Sequence, residues 1–140
     1  MINFFYESVD IVIDEKRISS WIHNVIISEK KKEGEISFIF CNDDYLLKIN
    51  QDFLNHDTYT DIISFDNSLG NELHGDIFIS YERVVDNAET YAVSIEEELR
   101  RVIIHGVLHF CGFKDKTDDE SVVMRNKENE KLAMFHVEHS

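Results

Sequence analysis

The sequence has no proline, where average usage near 5% would supply about seven residues, and only five glycines where about ten would be usual. Collagenous, linker-rich and low-complexity chains are excluded, and a helix-heavy domain with short connections is expected. Two cysteines, Cys41 and Cys111, cannot build a disulfide framework, so a reduced intracellular protein is the simpler reading. Basic residues are scarce as well: 14 Lys and Arg stand against 28 Asp and Glu, a formal net charge of −14. That balance argues against broad phosphate neutralisation, which wants a basic surface. No apolar run approaches the roughly 20 residues of a membrane span, since the longest, Val102 to Gly112, carries two histidines. The N-terminus lacks a basic segment followed by an apolar one, so no signal peptide is expected. A cytoplasmic protein with no membrane contact follows as the expectation.

What is present suffices for one core. A chain of about 150 residues buries roughly 68–70% of its unfolded surface, and 43% of these residues are apolar. Residues 1–140 therefore read as a single domain. Ile2–Tyr6, Glu35–Cys41, Asp61–Phe65 and Gly75–Ser80 are β-branched or aromatic and predict four strands. Ile18, Trp21, Ile22, Val25 and Ile26 recur at helical spacing and predict a helix from Asp14 to the lysines Lys30–Lys32, ended by Gly34. Asn42 or Asp43 caps a second helix with Tyr45, Leu46, Ile49 and Phe53 on one face, and Asn55–Thr60 reads as a loop. Ser80 opens a third helix, to about Ala92. Ser94 with Glu97, and Thr117 with Glu120, are capping boxes for two more, the last running toward Ser140. The expected fold is α+β: a mixed sheet of about four strands with about five helices.

The fourth helix is unusual. Ile95, Leu99, Val102, Ile103, Gly106 and Phe110 form a core stripe, and Ile104, Val107 and Leu108 cover the remaining directions. A helix apolar on nearly all sides is buried on nearly all sides, yet His105 and His109 share the one direction left over. One turn apart, their imidazoles can converge on a point. Gly112 can terminate the helix in a left-handed conformation and return the chain, bringing Asp115 back. This spacing matches the extended zinc motif of certain metalloproteases, with Asp in place of the third His. Two ligands on adjacent turns and a third from the following loop leave one tetrahedral position for water. Core histidines satisfied by backbone carbonyls are the plainer alternative. The general-base glutamate of a protease is missing, because Gly106 holds its place.

The string His105–Phe113 (HGVLHFCGF) resembles the signature of the YbeY family of bacterial endoribonucleases, His-Gly-x-Leu-His-Leu-x-Gly-Tyr-Asp-His. Thr60–Phe65 (TDIISF) and Gly75–Ser80 (GDIFIS) resemble two further family strands, so the likeness spans about residues 35 to 115. It implies a metal-dependent endoribonuclease acting on single-stranded RNA, in 3′-end maturation of small-subunit (16S) rRNA and in ribosome quality control. It further implies metal ligands His105, His109 and Asp115, and partners among rRNA, the ribosome and ribosome-associated proteins, with no DNA expected. Two departures accompany the likeness. Asp115 replaces the family's third His, which lowers the charge of a loaded site to about +1 and acidifies its water less. Leu54 stands where the family carries an arginine. Zinc is the expected ion. Mn²⁺, Ni²⁺ and Fe²⁺ are compatible with the ligand set, and two His plus a carboxylate also suits Fe(II) oxygenases.

Among other residues, Arg83, Arg100 and Arg101 are candidate phosphate-binding cations or plain ion-paired residues, with Arg101 beside His105 on the helix wheel. Lys114, Lys116 and Lys30–Lys32 are small basic clusters. Asp61, Ser64 and Asp76 lie in the family-like strands, where capping and turn roles serve equally well. His23, His56, His74, His136 and His139 lack ligand spacing, and Cys111 suits simple packing. No general base is identifiable, and either metal-bound water or a neighbouring 2′-hydroxyl could be the nucleophile. A non-catalytic assembly module with a structural metal and a peptidase-like zinc hydrolase remain as alternatives.

Overall fold

A computed structural model describes residues 1–54 and 60–137. Its strands are β1 (Ile2–Tyr6), β2 (Lys32–Cys41), β3 (Ile62–Asp66) and β4 (Glu72–Ser80); its helices are α1 (Glu15–Ser28), α2 (Asp43–Leu54), α3 (Tyr81–Tyr91), α4 (Ile95–Phe110) and α5 (Asp118–Val137). The strands form one mixed sheet in the order β1-β2-β4-β3. β1 and β4 each run parallel to β2, while β3 runs antiparallel to β4. The expected α+β class and element types hold.

Alternation along the strands sorts side chains between two faces. Ile36, Phe38 and Phe40 of β2 and Ile77 and Ile79 of β4 join α1 and α4 in the main core. Cys41 and Ile63 face the opposite side and meet Leu46 of α2 in a smaller cluster. All five apolar positions predicted for α1 are buried, each contributing about 1.5–3 kcal/mol relative to exposure. On α2 only Leu46 of the predicted apolar face is buried, since Phe53 is 70% exposed.

Four helix starts are capped where the sequence suggested. Asn42 Oδ1 accepts from Tyr45 N, and the Oγ atoms of Ser80 and Ser94 accept from Arg83 N and Glu97 N. Thr117 and Glu120 exchange both bonds of a full capping box, at 3.1 and 3.0 Å.

Three expectations need correction. α1 ends at Ser28, so the lysine run is not its last turn. Ser28 Oγ donates to Val25 O, Lys30 turns the chain with φ 61°, and Lys32 already pairs with Glu72. Gly34 accordingly lies inside β2. Ile95, placed on the core stripe, is 37% exposed at the first turn of α4. Among the described residues, no helix is long and apolar enough to cross a membrane.

Candidate metal centre

The apolar encirclement of α4 is real: Ile103, Ile104, Val107 and Leu108 are fully buried. Gly106 is what lets this helix lie so close to the sheet. A Cβ at that position would sit 3.0–3.1 Å from Ile77 and Ile62. The position that carries glutamate in a metalloprotease therefore points into the sheet, and no carboxylate fits there. α4 closes in a Schellman turn. Phe113 N–H donates to Leu108 O at 3.1 Å and Gly112 N–H to His109 O at 3.0 Å, with Gly112 at φ 106°. The chain reverses, and Ser121 Oγ of α5 donates to Asp115 O to fix the loop.

That reversal brings three acceptors together. His105 Nε2 lies 2.9 Å from His109 Nε2 and 3.1 Å from Asp115 Oδ2, and His109 Nε2 lies 3.5 Å from the same oxygen. The opposite ring nitrogens are engaged elsewhere. His105 Nδ1 is 2.6 Å from Glu128 Oε2, and His109 Nδ1 is 2.9 Å from Phe113 O. Both partners accept, so each ring spends its Nδ1 proton on them and turns a bare Nε2 toward Asp115. Two lone pairs and a carboxylate facing one another repel unless a cation lies between them. Metal–ligand bonds near 2.0–2.1 Å set tetrahedral edges of about 3.3 Å, which the three separations bracket. His105, His109 and Asp115 could thus hold one metal ion, and they form the only such group among the described residues.

Glu128, on α5, was not anticipated. Its side chain is 7% exposed and also accepts from Arg101 at 2.9 Å. Burial disfavours its charge, but the hydrogen bonds from His105 and Arg101 outweigh that and hold its carboxyl below the ordinary range. Burial likewise opposes protonation of His105, yet Glu128, Asp115 and Asp61 together raise its pKa. The glutamate fixes the ring's tautomer and strengthens its Nε2 as a donor to metal.

Beside the histidines opens a cavity of about 270 Å³, whose walls include Asp61, Glu98, Arg101, Arg125 and Glu128. Arg101 lies next to His105 as the helix wheel suggested, tied to Glu128 and Asn129. Arg83 pairs with Asp43 instead, and Arg100 stacks on the Phe135 ring, 4.4 Å from its centroid. Leu54 ends α2 away from the cavity, half-exposed. Asp61 lines the cavity, and burial raises its carboxyl pKa, with the His105 charge opposing. Asp76 belongs to the other face of the sheet, in an apolar groove with Tyr45 and Phe53.

His23 and His74 pair with Glu33 and Glu72, away from the centre. His56, His139 and the side chain of His136 lie outside the described residues. Cys111 packs against the main core, and burial pushes its thiol up to about 11.

Known proteins share this chain's sequence pattern and fold. The family model described as Endoribonuclease YbeY matches residues 3–136. A curated endoribonuclease YbeY of Flavobacterium johnsoniae is 59% identical over 138 residues, covering 99% of both chains. One of Christiangramia forsetii is 60% identical over 137 residues, covering 98% of this chain and 96% of its own. The solution structure of TM1509 from Thermotoga maritima shares the fold, with a TM-score of 0.68 at 23% identity over 96% of this chain and 90% of that one. With a family match of nearly full length and relatives this similar, the chain belongs to the endoribonuclease YbeY family.

Proposed function

We propose that residues 1–140 form one metal-dependent endoribonuclease domain that cuts single-stranded RNA, with His105, His109 and Asp115 holding a zinc ion. The biological setting of this reading is the cytoplasm, in 3′-end maturation of small-subunit rRNA and ribosome quality control, with ribosome-associated partners. The observation that carries it is the convergence of three acceptor atoms, each ring's other nitrogen being held by a second acceptor. When bound there, such an ion supplies a Lewis acid for a phosphoryl oxygen and a water of lowered pKa.

The chain's own residues do the positioning. Glu128 and the Phe113 carbonyl fix both imidazoles, and Ser121 fixes the backbone of Asp115. Arg101, held by Glu128 and Asn129, and Arg125 give the cavity its cations, so an acidic protein still offers a phosphate a local attraction. The sheet-facing Gly106 disfavours a peptidase. A metal that merely stapled helix to loop is also disfavoured, because the Schellman turn and Ser121 already secure that loop.

The test is cleavage of a labelled single-stranded RNA by metal-loaded protein, with a peptide and single-stranded DNA as controls. His109→Ala is expected to lose cleavage by about a hundredfold or more while the circular-dichroism spectrum persists. Cleavage at the wild-type rate by this variant overturns the reading, and elemental analysis of the loaded protein identifies the ion.

A further inference from the structure

Around the cavity, the Glu98 side chain has no hydrogen-bond donor among the described residues. Glu128 accepts from His105 and Arg101, and Asp115 belongs to the candidate metal centre. Glu98, on the first turn of α4, is only 5% exposed and lines the same space. It takes no hydrogen bond and no ion pair from any described residue. A largely buried carboxylate without protein donors carries an uncompensated desolvation cost. Burial accordingly raises its pKa, with only the fields of Arg101 and Arg125 in opposition. A second metal does not answer the need, since among the described residues Glu98 and Asp61 do not come together with another ligand as His105, His109 and Asp115 do. A phosphate, which Arg101 and Arg125 can attract, does not answer it either, because it brings acceptors where Glu98 needs donors.

The remaining answer is a ligand that brings hydrogen-bond donors. This inference rests on the ribonuclease reading, since RNA is then the molecule at hand. Its bases are recognised in single strands by their exposed edges and by stacking on aromatic rings. The cavity offers what one base needs. Ile62 and Val102 supply apolar wall, Tyr91 lies at the mouth 58% exposed, and Asn87 carries both a donor and an acceptor. Its volume of about 270 Å³ falls just below the roughly 300–1,000 Å³ of sites for whole drug-sized ligands. A carboxylate's two oxygens match two donors side by side. Guanine alone among the four bases presents such a pair, N1–H and N2–H, on its Watson–Crick edge.

We propose that this cavity is a guanine subsite beside the metal centre, with Glu98 accepting from the N1–H and N2–H groups, Asn87 reading the remaining edge and Tyr91 stacking at the mouth.

Fluorescence anisotropy of labelled 2′-O-methyl-uridine oligomers tests it, using the full chain and checking oligomer integrity on a gel. An oligomer with one central guanosine is expected to bind about tenfold more tightly than those with adenosine, cytidine or uridine there. Inosine, which lacks the N2 amino group, is expected to lose about fivefold of that preference with the wild-type protein, so no folding question enters. Glu98→Gln is expected to bring the guanosine preference within about twofold of unity, and Asn87→Ala to reduce it about threefold. Equal binding of all four oligomers by wild type, or full preference retained for inosine, overturns the subsite. Loss of the subsite with RNA cleavage intact leaves the ribonuclease reading standing. Guanosine preference without any cleavage of RNA overturns that reading instead.

Discussion

Helix α5 buries two charged side chains one turn apart, Glu128 and Lys131, at 5% and 3% exposure, and their surroundings differ in kind. Lys131 lies in a closed cluster. Its ammonium is 2.7 Å from Glu29, 3.1 Å from Glu130 and 2.9 Å from Ser28 Oγ, while Lys127 donates to Glu29 at 3.0 Å. Two cations face two carboxylates, and Trp21 Nε1–H donates to the Lys131 carbonyl at 2.8 Å to seal the seam. Glu128 lies among groups that do not balance. It holds His105 and Arg101, but Asp115, Asp61 and Glu98 share the region, and two imidazoles turn lone pairs toward Asp115. A buried charge with its complement in place is structural. Where acceptors are in excess beside a cavity, the missing complement comes from outside.

The largest expected effect falls on the closed cluster. Removing one partner of a buried ion pair costs about 3–5 kcal/mol, because the other charge stays desolvated. Lys131→Met should lose that much in urea unfolding. Pairing it with Glu29→Leu should recover most of the loss, since apolar replacement of a whole buried pair is often neutral. A loss under about 1 kcal/mol in the single variant would place this seam among exposed salt bridges, which are worth that little.

Across the turn the same helix should answer in metal affinity. Glu128→Gln keeps the shape but replaces the carboxylate that strengthens His105 as a ligand. Zinc affinity, measured against a chromophoric chelator, should fall by about 10–100-fold. An unchanged affinity would make Glu128 a packing residue like its neighbour.

The two clusters were unequally visible in the sequence. His105, His109, Gly112 and Asp115 lie within eleven positions, so helical periodicity and a glycine turn bring them together without knowledge of the fold. Glu128 is 23 residues beyond His105 on a helix whose buried positions, among the described side chains, are Met124, Glu128, Lys131 and Phe135. With charges on the inward side, α5 carries no apolar stripe to announce which face is buried. Glu98 was hidden by the same rule, since three glutamates in the first turn of α4 look like ordinary compensation of the helix dipole. The misplaced end of α1 has another cause. Lys30–Lys32 suit a helix terminus electrostatically, but pairing of Lys32 and Glu33 with β4 recruits that segment into the sheet. Pairing partners distant in sequence overrode a local preference.

The smallest effect is a pH response that belongs to the balanced side alone. Burial works against ionisation of Glu29, but hydrogen bonds from Lys131 and Lys127 prevail and hold its carboxyl below the ordinary 4.5. A carboxylate whose folded pKa is depressed stabilises the protein above its unfolded value, and that contribution is lost as pH falls through the folded one. Lys127 contributes from the other end. The hydrogen bond from its ammonium to Glu29 raises its pKa above 10.5, so its share is complete below that value and lost as pH rises through the raised one. Between these limits the cluster should be insensitive to pH. In urea unfolding of metal-free protein, Glu29→Gln should lower stability by a constant amount across neutral pH, and the gap to wild type should narrow below about pH 4.5. If the gap instead stays constant into the acid range, Glu29 is not the ionised partner of Lys131, and the seam owes its stability to packing around Trp21 and Phe135.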